Sequence, residues 1–342
     1  MIRFLFLHLL ESTFFCLLLS GLAYGLRKGA AARHAVLLLG VTKFAIPTVL
    51  LARTGEQIAS FWPAGSWLAL LTYKLTRLFA FLQDSFPLAW QTELLAIWAL
   101  GVVVLVAMWI VRLQQSKATL TAPSREEALV FEQCRRLLGV RSSVSLGLSK
   151  DLIEPALRGI WRPTVTVPVA LFEKLTEAEF QTVLLHELAH AQRFDNVTSM
   201  FVHALACLFW FHPLLWFMER RLALEREQAC DETVLVCGMT PDVYVRGILK
   251  VCQFQICGGA GVSGMTGGDL RERLALILAG PLPVNLLCVP WILVAGLAIL
   301  MTLVPVAGGY CEQCAFGGGK SSSEAGAALR CKTPASCPQI AR

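Results

Sequence analysis

The stretch TEAEFQTVLLHELAHAQRF, residues 176–194, decides how the rest of the chain is read. Thr176 is followed three residues later by Glu179, the hydroxyl and acid that cap a helix N-terminus reciprocally. Apolar residues then recur at helical spacing, and among them stand His186, Glu187, Leu188, Ala189 and His190, an HExxH arrangement. Residues four apart share one face of a helix, so both imidazoles can reach a single ion while Glu187 lies beside that ion's water. Two imidazoles plus a carboxylate suit Zn2+, with a fourth position open for water. Composition makes a chance HExxH in a chain of this size rare, about one in a hundred.

A third ligand is expected downstream. Residues 214–236 (LLWFMERRLALEREQACDETVLV) read as a helix closing at Gly238, and they offer Glu219, Glu225, Glu227, Asp231 and Glu232. Glu227 and Asp231 are four apart and share a face. One can bind the metal while the other accepts a hydrogen bond from the free nitrogen of a ligating histidine. Spacing alone does not separate Glu227 from Glu225. The intervening residues 198–218 (TSMFVHALACLFWFHPLLWFM) are long and apolar enough to cross a bilayer, but a full crossing would put the two halves of the site on opposite sides. Proline ends the helix before it, so His212-Pro213 marks a turn-back, giving an apolar hairpin that lies against or dips into the membrane. His203 and His212 are expected to pack or cap inside that hairpin.

The remainder of the chain is built for lipid. Of 342 residues, 56% are hydrophobic and 16% charged, and mean hydropathy is +0.61, which excludes a disordered or nucleic-acid-binding chain. Residues 94–111 (LLAIWALGVVVLVAMWIV) and 286–307 (LLCVPWILVAGLAILMTLVPVA) have the length and apolarity of spans. Residues 4–26 and 35–52 are weaker candidates carrying His8 and Glu11, and Lys43 and Pro47. Glu11 and the apolar run that follows argue against a cleaved signal peptide at the N-terminus. Residues 113–285 hold 17 Lys and Arg against 18 Asp and Glu, leaving 13 against 6 beside the spans. Arg27, Lys28 and Arg33, and then Arg112 and Lys117, place both short connections in the cytoplasm, with Arg3 in mild disagreement.

The expected fold class is therefore a mainly α membrane protein of about four transmembrane helices, with a cytoplasmic α+β zinc protease domain between spans three and four. Residues 1–112 form a membrane region with three spans and an external loop holding an amphipathic helix at 67–82. Residues 113–285 form the protease domain with the hairpin at 198–218, 286–307 the fourth span, and 308–342 a short external Gly/Ser/Cys-rich tail. Within the domain, residues 125–139 read as a helix, and 143–146 and 164–167 (TVTV) as strands. Pro163 and Pro168 bracket TVTV, so this strand belongs at a sheet edge, where an extended substrate can add as a further strand, or stops abruptly. Eight of the 12 cysteines fall in spans or the cytoplasmic region and serve as small apolar groups. Cys311, Cys314, Cys331 and Cys337 in the tail suit two disulfides, or less readily a metal.

The HELAH helix with Arg193 and Asp195 after it, the apolar hairpin and the ERExACDE segment at 225–232 together resemble the BlaR-type antirepressor family of membrane zinc metallopeptidases. GIWRPTVTVP, residues 159–168, is similar to that family's strand before the zinc helix. The resemblance implies a gluzincin-like HExxH…ExxxD site in which His186, His190 and Glu227 bind zinc, Glu187 is the general base, and Asp231 is the acid behind a ligand. It implies a multi-pass protein of the bacterial inner membrane. Its partners would be the lipid bilayer and a protein substrate such as a DNA-binding repressor, with no direct nucleic-acid binding and room for a homo-oligomer. Family members that sense β-lactams carry an external domain with an SxxK serine. The 35 residues after Ala307 have no SxxK, so penicillin sensing does not carry over. Quality control of membrane proteins by the same site is the alternative activity. A non-catalytic, zinc-stabilised receptor is the third reading, opposed by the base beside an open coordination position.

Overall fold

The computed structural model describes residues 2–25, 29–47, 88–115, 119–140, 143–152, 154–257, 267–280 and 296. Residues 53–87 of the expected external loop, with its amphipathic helix at 67–82, the fourth span apart from residue 296, and the cysteine-rich tail lie outside them. The chain divides into two units, Met1–Phe15 with Lys43–Leu94 and Ala295–Arg342, and Cys16–Thr42 with Leu95–Val294.

Ten helices and three strands are described. Helix α1 (Ile2–Gly25) is followed by α2 (Ala30–Thr42) with a 3-10 turn at Lys43–Ala45, and then by α3 (Leu88–Gln115) and α4 (Arg125–Leu137). Strands β1 (Ser145–Ser149), β2 (Ala156–Arg158) and β3 (Thr164–Pro168) lead into a short α5 (Val169–Phe172) and α6 (Glu177–Gln192). Helices α7 (Asp195–Leu208), α8 (Pro213–Val236), α9 (Pro241–Cys257) and α10 (Gly267–Leu278) complete the set. The protein is mainly helical with a small mixed α+β region.

Among the described residues, two helical segments are long and apolar enough to cross a membrane, His8–Gly25 and Thr92–Gln114. The second expected span is shorter than the sequence suggested. Its helix α2 has 13 residues, a rise of about 20 Å against a hydrocarbon core of about 30 Å. The 3-10 turn ends it ahead of Pro47. In the smaller unit the ionisable groups of α1 meet that turn: His8 Nε2 lies 3.1 Å from the Phe44 carbonyl and Lys43 Nζ 3.9 Å from Glu11.

The sheet corrects the edge expectation for TVTV and leaves the abrupt stop. The strand order is β1-β3-β2, so β3 is the central strand, parallel to β1 and antiparallel to β2. Both prolines fall at its boundaries, where the missing N–H breaks no interior rung: Pro163 precedes the first paired residue and accepts from Ser145 N–H at 3.1 Å, and Pro168 closes the register opposite Ser149. The Thr121–Leu148 bridge covers the outer side of β1. The short β2 is thus the strand with an open outer edge among the described residues. The first strand begins two residues later than the expected 143–146.

Val165 and Val167 from β3 pack on Phe180, Leu184, Leu185 and Leu188 of α6, with Phe131 of α4, Val234 of α8, Tyr244 and Ile248 of α9 and Ile277 of α10 closing the core. Helix α6, which carries HExxH, is therefore the central element. Its capping box is present: Thr176 Oγ1 accepts from Glu179 N–H and the Glu179 carboxylate accepts from Thr176 N–H at 2.8 Å. Helix α2 lies along the side of α8 away from α6. Its first N–H, on Ala30, donates to the Glu232 carboxylate at 2.9 Å, and Arg33 donates to Glu225 at 2.7 Å and Gln228 at 2.8 Å.

Candidate metal centre

Helix α6 turns His186 and His190 to one side, and α8 crosses that side with Glu227. Ligand atoms of the three residues lie within 4.8 Å of one another. His186 Nε2 is 3.3 Å and His190 Nε2 3.7 Å from the two oxygens of Glu227, so both rings present the same nitrogen to the shared space. The ring planes stand at 89°, centroids 4.9 Å apart. Glu187 is buried on the same helix.

The opposite nitrogen of each ring has a carboxylate behind it. His190 Nδ1 is 2.8 Å from Asp195 Oδ2, and His186 Nδ1 is 3.2 Å from Asp231 Oδ1 and 2.9 Å from the Tyr244 hydroxyl. An imidazole that donates through Nδ1 to a carboxylate is fixed in orientation and left with its Nε2 lone pair free for a metal. Asp231 is itself held. Arg273 of α10 forks onto it with Nε at 2.5 Å and Nη2 at 2.7 Å, and the Tyr244 hydroxyl also donates to it. Arg273 Nη1 reaches Glu227 at 3.5 Å, and Arg226 Nη2 bonds the other Glu227 oxygen at 3.1 Å.

The electrostatics suit a cation. Burial opposes ionisation of Glu227, yet the adjacent His186, His190 and Arg273 hold its carboxyl well below the usual range. Burial likewise opposes the charge on Asp231, and Arg273 and His186 overcome it. Burial alone would lower His186, but Asp231 and Glu227 bring it up to about 9. The imidazole thus supplies positive charge that a metal would replace, with release of a proton. Glu154, in the loop after β1, has its carboxyl pushed up by burial and then by the Glu187 charge. Gln255 of α9 fixes it at 2.8 Å.

A second triplet, His190, Asp195 and Cys230, shares His190. Burial and the Asp195 and Glu227 carboxylates push the Cys230 thiol well above its ordinary value. Its Sγ lies 3.2 Å from His190 Nδ1, the nitrogen opposite the Nε2 that His190 turns to the space shared with His186 and Glu227, so the two sets use different sides of the ring.

The alternatives left open by spacing separate clearly. Glu225 points away from the site and is paired to Arg33 at 2.7 Å and Arg221 at 2.5 Å. Glu219 accepts from His203 Nδ1 at 2.6 Å inside the hairpin, His212 occupies the N-cap position of α8, and Glu232 caps α2. Three residues around the site had no assigned role from sequence. Asp195 is local, five residues past His190, and follows Phe194, whose φ of 57° makes the sharp exit from α6. Tyr244 and Arg273 stand 58 and 87 residues from His186 and carry no local signal.

Two histidines and a glutamate around an HExxH helix are the donor set of zinc metallopeptidases. The chain belongs to the BlaR1 peptidase M56 family, whose model matches residues 59–277. It is 30% identical over 146 residues to the regulatory protein BlaR1 of Bacillus licheniformis, covering 41% of this chain and 24% of that protein. It is 23% identical over 95 residues to the methicillin resistance mecR1 proteins of Staphylococcus aureus and Staphylococcus epidermidis, covering 28% of this chain and 16% of each. The matched segments thus span about a quarter or less of those relatives.

Proposed function

We propose that this chain is a membrane-embedded zinc endopeptidase that transduces a signal by cleaving a cytoplasmic transcriptional repressor or another regulator. The observation that carries the reading is the convergence of His186, His190 and Glu227 on one space, with Glu187 on the same helix. In it the metallopeptidase domain is residues 113–285, cytoplasmic, between the third and fourth spans of a multi-pass inner-membrane protein. Signalling is preferred to quality control because a matched relative carries a regulatory name.

His186, His190 and Glu227 would hold the ion, which when bound would supply Lewis acidity toward a carbonyl and lower the pKa of water. Glu187 takes the proton from the attacking water and passes it to the leaving amine as the peptide C–N bond breaks. Asp231 and Asp195 keep the two imidazoles in the ligating tautomer, and Arg273 fixes Asp231 while lending positive charge next to the reacting carbonyl. An extended substrate pairs with the open edge of β2, which Asn196 ties to α7 through the Leu157 and Gly159 carbonyls at 3.1 and 2.9 Å. The test is incubation of the purified protein in nanodiscs with a winged-helix repressor. A discrete cut that 1,10-phenanthroline stops and added zinc restores is the expected result. A repressor left intact beside cleavage of unfolded membrane proteins would favour quality control.

A further inference from the structure

Helix α7 and the turn into α8 carry an apolar stripe that remains exposed among the described residues. Val197 is 40% exposed, Met200 38%, Leu208 38% and Phe211 44%, with exposed Ala204 between them. Positions 197, 200, 204 and 208 share one helical face, while Val202, Leu205 and Ala206 on the other are buried.

Contacts with α3 fix the depth of this stripe. Trp98 Nε1 donates to the Leu208 carbonyl at 2.8 Å, and Trp210 Nε1 donates to the Trp98 carbonyl at 3.3 Å. A Cβ on Gly101 would run into the Trp210 indole, and Trp109 meets the His203 ring edge-on at 4.9 Å. Helix α3 contains the more apolar of the two membrane-length segments, Thr92–Gln114, with none of it buried in the fold. From Trp98 to Arg112 it rises about 21 Å, and α7 from Asp195 to Leu208 rises about 20 Å. With Leu208 beside Trp98 and His203 beside Trp109, α7 runs from the hairpin tip back along α3 in the direction of Arg112, toward its own N-terminal end at Asp195. At that same end, Asn196 holds the β2–β3 turn, where Trp161 is 93% exposed. An indole there suits the headgroup region, where tryptophan concentrates.

We propose that the α7–α8 hairpin is re-entrant. Its Val197–Met200–Ala204–Leu208–Phe211 stripe contacts lipid acyl chains alongside α3, and Trp161 rests among the headgroups. The backbone at the hairpin tip is compatible with that depth because α3 covers it, as non-spanning backbone in a bilayer requires. Resting on the peptidase reading, the consequence is that the site takes peptide segments presented at the membrane surface.

The test is photolabelling of the full-length protein in nanodiscs of phosphatidylethanolamine and phosphatidylglycerol. One preparation carries a diazirine at the acyl terminus and the other a diazirine on the headgroup, with adducts mapped by mass spectrometry. Acyl adducts over residues 197–211 should reach, per residue, within about threefold of those over α3, since both would share the hydrocarbon. Headgroup adducts should fall on the Trp161 turn. Acyl adducts on α3 with none on 197–211 would overturn the proposal. Labelling needs no turnover, so a protein that labels along α7 but cleaves nothing would keep this surface and lose the peptidase reading alone.

Discussion

Glu187→Gln is expected to lower peptide hydrolysis by about 10²–10⁴-fold, the usual contribution of a general base, while zinc content stays at the wild-type level. Glutamine keeps the volume of the buried side chain and lies outside the His186–His190–Glu227 donor set, so packing and metal binding have no reason to change. What is lost is the acceptor of the water's proton. Glu154 gains from the change, since the Glu187 charge that helps push its carboxyl up is gone. Glu154 does not replace the base, because it is tied to Gln255 in the loop after β1 and is not carried on the metal helix. Hydrolysis rates and metal analysis on the same preparation check both halves. Equal activity in wild type and variant would leave zinc as a structural ion and the receptor reading as the better one.

Glu227→Ala is expected to abolish the stabilisation that zinc gives the wild type. At free zinc a thousandfold above its dissociation constant, an ion that binds only the folded chain adds about 4 kcal/mol. The alanine variant should gain none of it. Removing the carboxylate also leaves Arg226 and Arg273 without a partner they now share, at 3.1 and 3.5 Å. The variant therefore starts less stable, and the informative quantity is the increment on adding zinc. Glu227→Gln, which keeps the side-chain volume and can still bond the arginines through its carbonyl, serves as the second variant. Thermal unfolding with and without zinc reads the increment, and an undiminished one in both variants would remove Glu227 from the site.

What could be read from sequence was local. The capping box, the helix and the shared face of His186 and His190 all follow from spacings of three and four residues. Glu227 and Asp231 could be placed on one face for the same reason, while the choice against Glu225 needed α2, whose Arg33 takes Glu225 to the far side of α8. The proline rule left β3 either at an edge or abruptly ended, because prolines at both ends of a strand look alike whether the strand is central or at an edge. Its position is decided by β2, three residues that carry no strong strand signal. Tyr244 and Arg273 reach the site only because α9 packs on α6 and α10 packs on α8 and α9. The length of α2 escaped for a related reason: an apolar run continues past Thr42, but Lys43 turns to Glu11 of α1 and the helix ends there.

The most direct test of the account is zinc K-edge X-ray absorption on the purified full-length protein. The account requires a first shell of two imidazole nitrogens and carboxylate or water oxygens, all at about 2.0–2.2 Å, with no sulfur. A sulfur scatterer at about 2.3 Å that disappears in Cys230→Ser would place the metal on His190, Asp195 and Cys230 instead and contradict the His186–His190–Glu227 site.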